Sequence, residues 1–218
     1  MGEAKRRRAA EEARSAALRQ VTERVGATLR KLASAASANL GSDCYLHAAL
    51  GRELLGDFGF DARVVAGEAA WRVGEGDGDV IAHTPRVQGF APSSMPPGKL
   101  ALAYHAWLIV DSHVVDFTTY QLPRKGLELD ALDGGHTSVD WAPEVFVLPV
   151  SLLPSYEQVA RSPKSGVAFY DVIPGLAEKM ASTYELDPEN VAVARFILAN
   201  PDVNVFGPNQ VREAGWGE

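Results

Sequence analysis

Residues 104–117, YHAWLIVDSHVVDF, constrain the fold of this chain more than any other stretch. Large apolar side chains alternate on both sides of Asp111-Ser112, the pattern of two antiparallel strands joined by a tight turn. A two-residue turn pairs Val110 with His113, Trp107 with Asp116 and His105 with Thr118. His105, Trp107, Asp116 and Thr118 then share one face, with His105 and Asp116 on a diagonal within reach of long side chains. A three-residue loop would reverse the parity and separate the imidazole from the carboxylate. The hairpin therefore predicts a His–Asp pair inside an apolar sheet.

An aspartate bonded to an imidazole nitrogen fixes the tautomer and stabilises the protonated ring, the part played by the orienting member of a nucleophile–base–orienter set. The missing nucleophile is sought in Cys44, the chain's one cysteine. A lone cysteine excludes an intrachain disulfide and a multi-cysteine zinc site, and a buried cysteine ordinarily acts as a small hydrophobe. Cys44 differs in its position. Ser42-Asp43 is an N-cap signal ahead of CYLHAALGRELLGDFGF, with Leu46, Leu50, Leu54 and Leu55 at helical spacing. The thiol thus falls in the first turn of a helix, where the helix dipole and a nearby imidazolium favour thiolate and free backbone N–H groups face a developing oxyanion.

The same letters permit a metal site. Cys44 and His47 stand three residues apart and, with His105 and Asp116, would make four ligands. Structural zinc sites pair two such motifs and this one stands alone, so no metal is expected, and no cofactor. His47, His83, His113 and His136 are read as surface or packing residues. Tyr45 and Trp107 are candidate walls of a substrate cleft, with aromatic core packing as their other use.

Around this centre the chain divides into three parts. Residues 1–38 form a basic amphipathic helix, with Leu18, Val21, Val25, Leu29 and Leu32 as its apolar stripe. Residues 39–150 form the core, in which the Gly/Pro-rich segment 74–99 is a long loop and candidate lid. Leu122 to Asp140 is a second polar excursion, and WAPEVFVLPV is another strand. Residues 151–218 extend the same domain with helical pieces near 154–161, 175–184 and 188–199. The last has Asp187 as N-cap, Pro188 in its first turn and Asn200-Pro201 as its stop. This order reads as α+β.

Charge narrows the partners. Residues 1–31 carry nine Lys/Arg against four Glu, while the remainder carries twelve against twenty-four Asp/Glu. An acidic body argues against a nucleic-acid-binding domain, and the basic head is a solvated terminus or a contact for a partner. No apolar run is long enough to span a membrane. Glu11, Glu12 and Arg14 interrupt the place where a signal peptide needs its apolar region, so the protein is read as cytoplasmic and bacterial-type.

Over roughly residues 40–120 the chain resembles the transglutaminase-like branch of the papain-like cysteine enzymes. CYLHAALGRELLGDFGFDARVVAGE is similar to the nucleophile helix, Gly-Phe turn and first strand, and YHAWLIVDSHVVDFTT to the HAW…D hairpin. Arylamine N-acetyltransferases and the leader peptidases of lasso-peptide systems share that architecture. The acetyltransferases carry Arg-Gly-Gly ahead of the nucleophile, where this chain has NLGSDC. The resemblance implies a nucleophile helix packed on an antiparallel sheet, with Cys44 as nucleophile, His105 as base and acid, and Asp116 as orienter. Asn39, five positions before Cys44, would supply an oxyanion-hole amide or simply end the preceding helix. The expected function is cysteine-dependent acyl transfer through an acyl-enzyme on a peptide or small amide or thioester, most simply hydrolysis of a peptide, isopeptide or other amide, or transglutaminase-type transfer to an amine. A non-enzymatic protein-interaction module on the same scaffold is the alternative.

Overall fold

In the computed structural model of the chain, which describes residues 2–35, 43–84, 103–207 and 210–212, the Asp111-Ser112 turn has two residues. Both take positive φ, 46° and 64°, the type I′ form whose twist matches the flanking strands. It joins β3 (His105–Val110) to β4 (His113–Asp116), with Val110 opposite His113, Ile109 opposite Val114 and Leu108 opposite Val115. The parity on which the His–Asp pairing depends is therefore the one the alternation predicts.

The sheet is antiparallel throughout and built around β1 (Ala62–Arg72), whose β-branched and small apolar residues tolerate burial on both faces. Along one edge of β1 lie β3, against residues 62–67, and β2 (Val80–His83), against residues 69–72. Along its other edge runs β6 (Val167–Val172), and β5 (Phe146–Pro149) extends the sheet beyond β4. Gly67 lies opposite His105 on one edge and Val172 on the other.

Helices cover one face. Helix α2 (Cys44–Gly56) starts where Asp43 Oδ1 accepts the backbone N–H groups of Tyr45 and Leu46 at 2.8 and 3.2 Å. Its Leu50, Leu54 and Leu55 are fully buried with Ala106, Leu108, Val110, Val115 and Phe117 from the hairpin. Helix α1 (Glu3–Ala35) packs beside it through Leu18, Val25, Leu29 and Leu32, while its first three turns are exposed. Gly51 permits the close seating of α2, because a Cβ there would collide with the Phe117 ring. Gly51→Val is expected to cost about 1–3 kcal/mol by overpacking, read as a lower urea midpoint. An unchanged midpoint would mean that α2 is not seated on Phe117.

Three segments differ from the sequence reading. The excursion after Leu122 opens with a helix, α3 (Leu122–Asp133), with Pro in its first turn and Gly134 at φ 76° closing it. Strand β2 lies within the segment read as a loop from residue 74, and residues 85–99 of that loop fall outside the described residues. The region after residue 150 contributes more than helices. Besides α4 (Tyr156–Ala160), α5 (Leu176–Ala181) and α6 (Pro188–Ala199), it supplies β6 and the hairpin β7 (Asn204–Gly207) with β8 (Gln210–Arg212). The molecule is thus α+β, with helices packed on a curled antiparallel sheet.

Candidate active site

His105 and Asp116 lie on the sheet face opposite the one that α2 covers. Alternation turns Ala106, Leu108 and Val110 toward the helix, and His105, Trp107 and Ile109 toward a second cluster with Val65, Trp71, Ile81 and Tyr170. His105 Nε2 is 2.7 Å from Asp116 Oδ2, and neither side chain touches solvent. Asp116 takes three further donors: the Tyr170 hydroxyl on Oδ2 at 2.9 Å, and the Thr118 N–H and hydroxyl on Oδ1 at 2.8 Å each. Burial alone would raise this carboxyl, but His105, Lys125 and the Thr118 N–H outweigh it and hold it well below the usual carboxylate range.

Burial lowers the His105 imidazole below 6.5 even with Asp116 opposing that shift, so the ring is neutral near pH 7. With Nε2–H donated to an ionised carboxylate, Nδ1 carries the free lone pair. Nδ1 is buried and, among the described residues, has no hydrogen-bond partner. The ring is held by aromatic neighbours: Trp71 edge-on at 4.8 Å, Trp107 stacked at 6.0 Å and His83 at 5.9 Å. A further link runs from Trp71 Nε1–H to the Tyr170 hydroxyl at 2.9 Å, so a chain of donors from Trp71 through Tyr170 ends on Asp116.

Cys44 begins α2 and is half-buried beside the first residues of β3, with the Ala106 backbone N–H favouring its thiolate. Burial pushes the thiol up to about 11, opposed first by Lys125. Because His105 Nδ1 is unpartnered, Cys44 and His105 are brought to the same strand end without a hydrogen bond between them. Nucleophile–base contacts commonly tighten only with substrate bound. One turn on, His47 fixes the helix start: Nδ1–H donates to the Asp43 carbonyl at 2.9 Å, and the Tyr120 hydroxyl lies 3.3 Å from Nε2. Both His47 nitrogens are thereby used, and among the described residues no group of three or more His, Cys, Asp or Glu side chains could hold a metal ion.

Sequence reasoning missed Lys125 and Tyr170. Lys125, in the first turn of α3, is 8% exposed with its Nζ 5.1 Å over the Trp71 ring. It was legible only through α3, whose Pro and Gly boundaries mark a helix beginning at Leu122. Tyr170 lies on β6, whose six residues are too few to carry a clear periodic signal. Trp107 is a core residue behind the imidazole, 1% exposed, rather than a cleft wall, because its strand position points it into the second cluster. Tyr45 packs on Tyr184 at 6.3 Å and lines a surface groove of about 580 Å³ that neither Cys44 nor His105 lines. Of the other histidines, His83 borders His105, His113 sits on the hairpin beside Ser15, and His136 is exposed. Asn39 lies outside the described residues.

No family model matches the chain, and no curated protein matches it. A crystal structure described as that of a genomics target is similar in fold: the TM-score is 0.52 at 18% identity, over 83% of this chain and 78% of that one. At that identity the likeness concerns the fold alone. Among the described residues no helix is long and apolar enough to cross a membrane.

Proposed function

We propose that this protein is a cysteine-dependent acyl-transfer enzyme with Cys44 as nucleophile, His105 as general base and acid, and Asp116 as orienter. One observation carries the reading: a fully buried imidazole commits Nε2 to a buried carboxylate and keeps Nδ1 unpartnered at the strand end beside a helix-opening cysteine. An apolar core has no use for such an arrangement, since an unsatisfied buried nitrogen costs about 1–3 kcal/mol.

In the attack, the thiol proton passes from Cys44 Sγ to His105 Nδ1 as Sγ bonds to the carbonyl carbon of an amide or thioester. Collapse of the tetrahedral intermediate breaks the bond to the leaving amine or thiol, which takes the proton from Nδ1 and leaves a thioester on Cys44. Water, as the preferred acceptor, gives a proton to Nδ1 while its oxygen attacks the thioester. The acid departs, and the proton returns to Sγ. The Cys44 backbone N–H is the candidate donor to the oxyanion, since Asp43 takes those of Tyr45 and Leu46.

The test is labelling of the folded protein with cysteine-directed acylating probes, followed by intact mass. One acyl group per chain is expected, absent from Cys44→Ala, with His105→Ala acylating about 10²–10⁴-fold more slowly. A Cys44 that reacts only after denaturation would overturn the proposal and leave the interaction module as the better reading.

A further inference from the structure

Resting on that acyl-transfer reading, we infer that Tyr170 is a positioning residue of the site, whose hydroxyl shares Asp116 Oδ2 with His105 and sets how strongly the carboxylate holds the imidazole. The three residues of the proposed triad lie between positions 44 and 116, whereas Tyr170 comes from β6 in the last third of the chain. Register brings it there. Tyr170 stands opposite Ala69 on one edge of β1 and His83 stands opposite Ala69 on the other. Alternation turns this row toward the face that holds Trp71, His105 and Trp107.

Each proton of the cluster has one place to go. Asp116 is ionised and only accepts, so the Tyr170 hydroxyl, 2.9 Å from Oδ2, donates to it. An indole nitrogen only donates, so Trp71 Nε1–H, 2.9 Å away, goes to the Tyr170 oxygen. His105 Nε2–H reaches the same Oδ2 at 2.7 Å, and the two Thr118 donors occupy Oδ1. Tyr170 is 6% exposed, its ring stacked on Phe146 at 5.7 Å and edge-on to Trp107 at 5.1 Å and Trp71 at 6.0 Å. The hydroxyl is thereby held on the carboxylate from the side opposite Thr118.

Two donors on one carboxylate oxygen compete, because each draws electron density from Oδ2 and weakens the other's bond. Trp71, by donating to the phenol oxygen, makes the Tyr170 hydroxyl the better donor. Without that hydroxyl, Oδ2 would pull harder on the Nε2 proton and make the ring more basic, favouring imidazolium before a substrate arrives. With it, the ring rests neutral with Nδ1 open, the state that can take the Cys44 proton. The other ionisable groups around the pair are Lys125 on α3, His83 on β2, and Cys44 and His47 on α2. The Tyr170 hydroxyl bonds to none of these, so its removal leaves their own contacts in place.

The experiment uses Tyr170→Phe, which removes one oxygen and keeps the ring and its packing. The His105 Nε2 proton is followed by NMR, where its low-field shift reports the pull of Oδ2, and the ring is titrated. Phe is expected to move the proton further downfield and to raise the ring's midpoint by about one unit, tenfold in proton affinity. The lower midpoint of Cys44 acylation against pH is expected to rise with it. Replacement of Tyr170 by 3-fluorotyrosine, a more acidic phenol and a stronger donor, is expected to move both NMR readings the other way. A tyrosine that only packs would not move them in opposite senses, and the fluorinated chain decides the matter if the Phe chain does not fold. A folded Phe variant whose Nε2 proton and titration superimpose on wild type, or shift upfield and downward, overturns the inference. The NMR readings require no acyl donor, so a chain that shows both shifts yet never forms an acyl-enzyme defeats the acyl-transfer reading alone.

Discussion

Asp116→Ala is expected to destabilise the protein by about 3–5 kcal/mol, the cost of removing one partner from a buried charged network. Four donors converge on this carboxylate: His105 Nε2–H, the Tyr170 hydroxyl, and the Thr118 N–H and hydroxyl. Truncation takes the acceptor from all four in a buried cluster. Two of them, from Thr118, also hold the chain as it leaves β4, so the hairpin end loosens with the charge. Urea melts of wild type and variant measure the difference. A loss under about 1 kcal/mol would mean that water reaches the site and that Asp116 is not the hub described.

Acidification from pH 6.5 to 4 is expected to remove about 3 kcal/mol of stability through His47 alone. Burial lowers this imidazole from 6.5 to about 4 in the folded chain, outweighing its bond to the Asp43 carbonyl. The unfolded chain therefore binds a proton first as pH falls below 6.5, and folding loses free energy until the folded ring also protonates near 4. Above 6.5 both states are neutral and the contribution is fully present. His83 and His105 are lowered by burial too and act in the same direction. Asp116, held below the usual carboxylate range, loses its contribution at still lower pH. Asp43 is raised by burial and has the opposite sign, its contribution fading as pH rises through its elevated value. Urea melts at a series of pH values test this, with His47→Phe flattening part of the slope. A wild-type stability that stays level from pH 6.5 to 4.5 would contradict it.

The hairpin was legible because its information is local. Alternation assigns faces, and Asp-Ser between valine- and isoleucine-rich strands marks a turn, so the pairing of His105 with Asp116 followed from counting. The N-cap at Asp43 and the helix from Cys44 were legible for the same reason, since capping acts over two or three residues. Helix α3 was obscured by its own surface, where Arg124, Glu128 and Asp130 resemble a solvated loop, although Pro123 and Gly134 mark its ends. Strand β6 was obscured by length, because the six residues Val167–Val172 carry little periodic signal.

By itself the sequence determined a β-hairpin with an imidazole and a carboxylate on one face, and a cysteine at the start of a capped helix. Both are short-range consequences of side-chain alternation and backbone hydrogen bonding. The tertiary structure alone decided that α2 packs on the face opposite that pair and meets it only at the end of β3. It also decided that Tyr170 closes on Asp116 from fifty-four residues away, and that Lys125 reaches the same cluster over the Trp71 ring. Those placements arise from which faces bury against which, and the cost of leaving a buried donor or charge unanswered is settled only once distant segments have packed together.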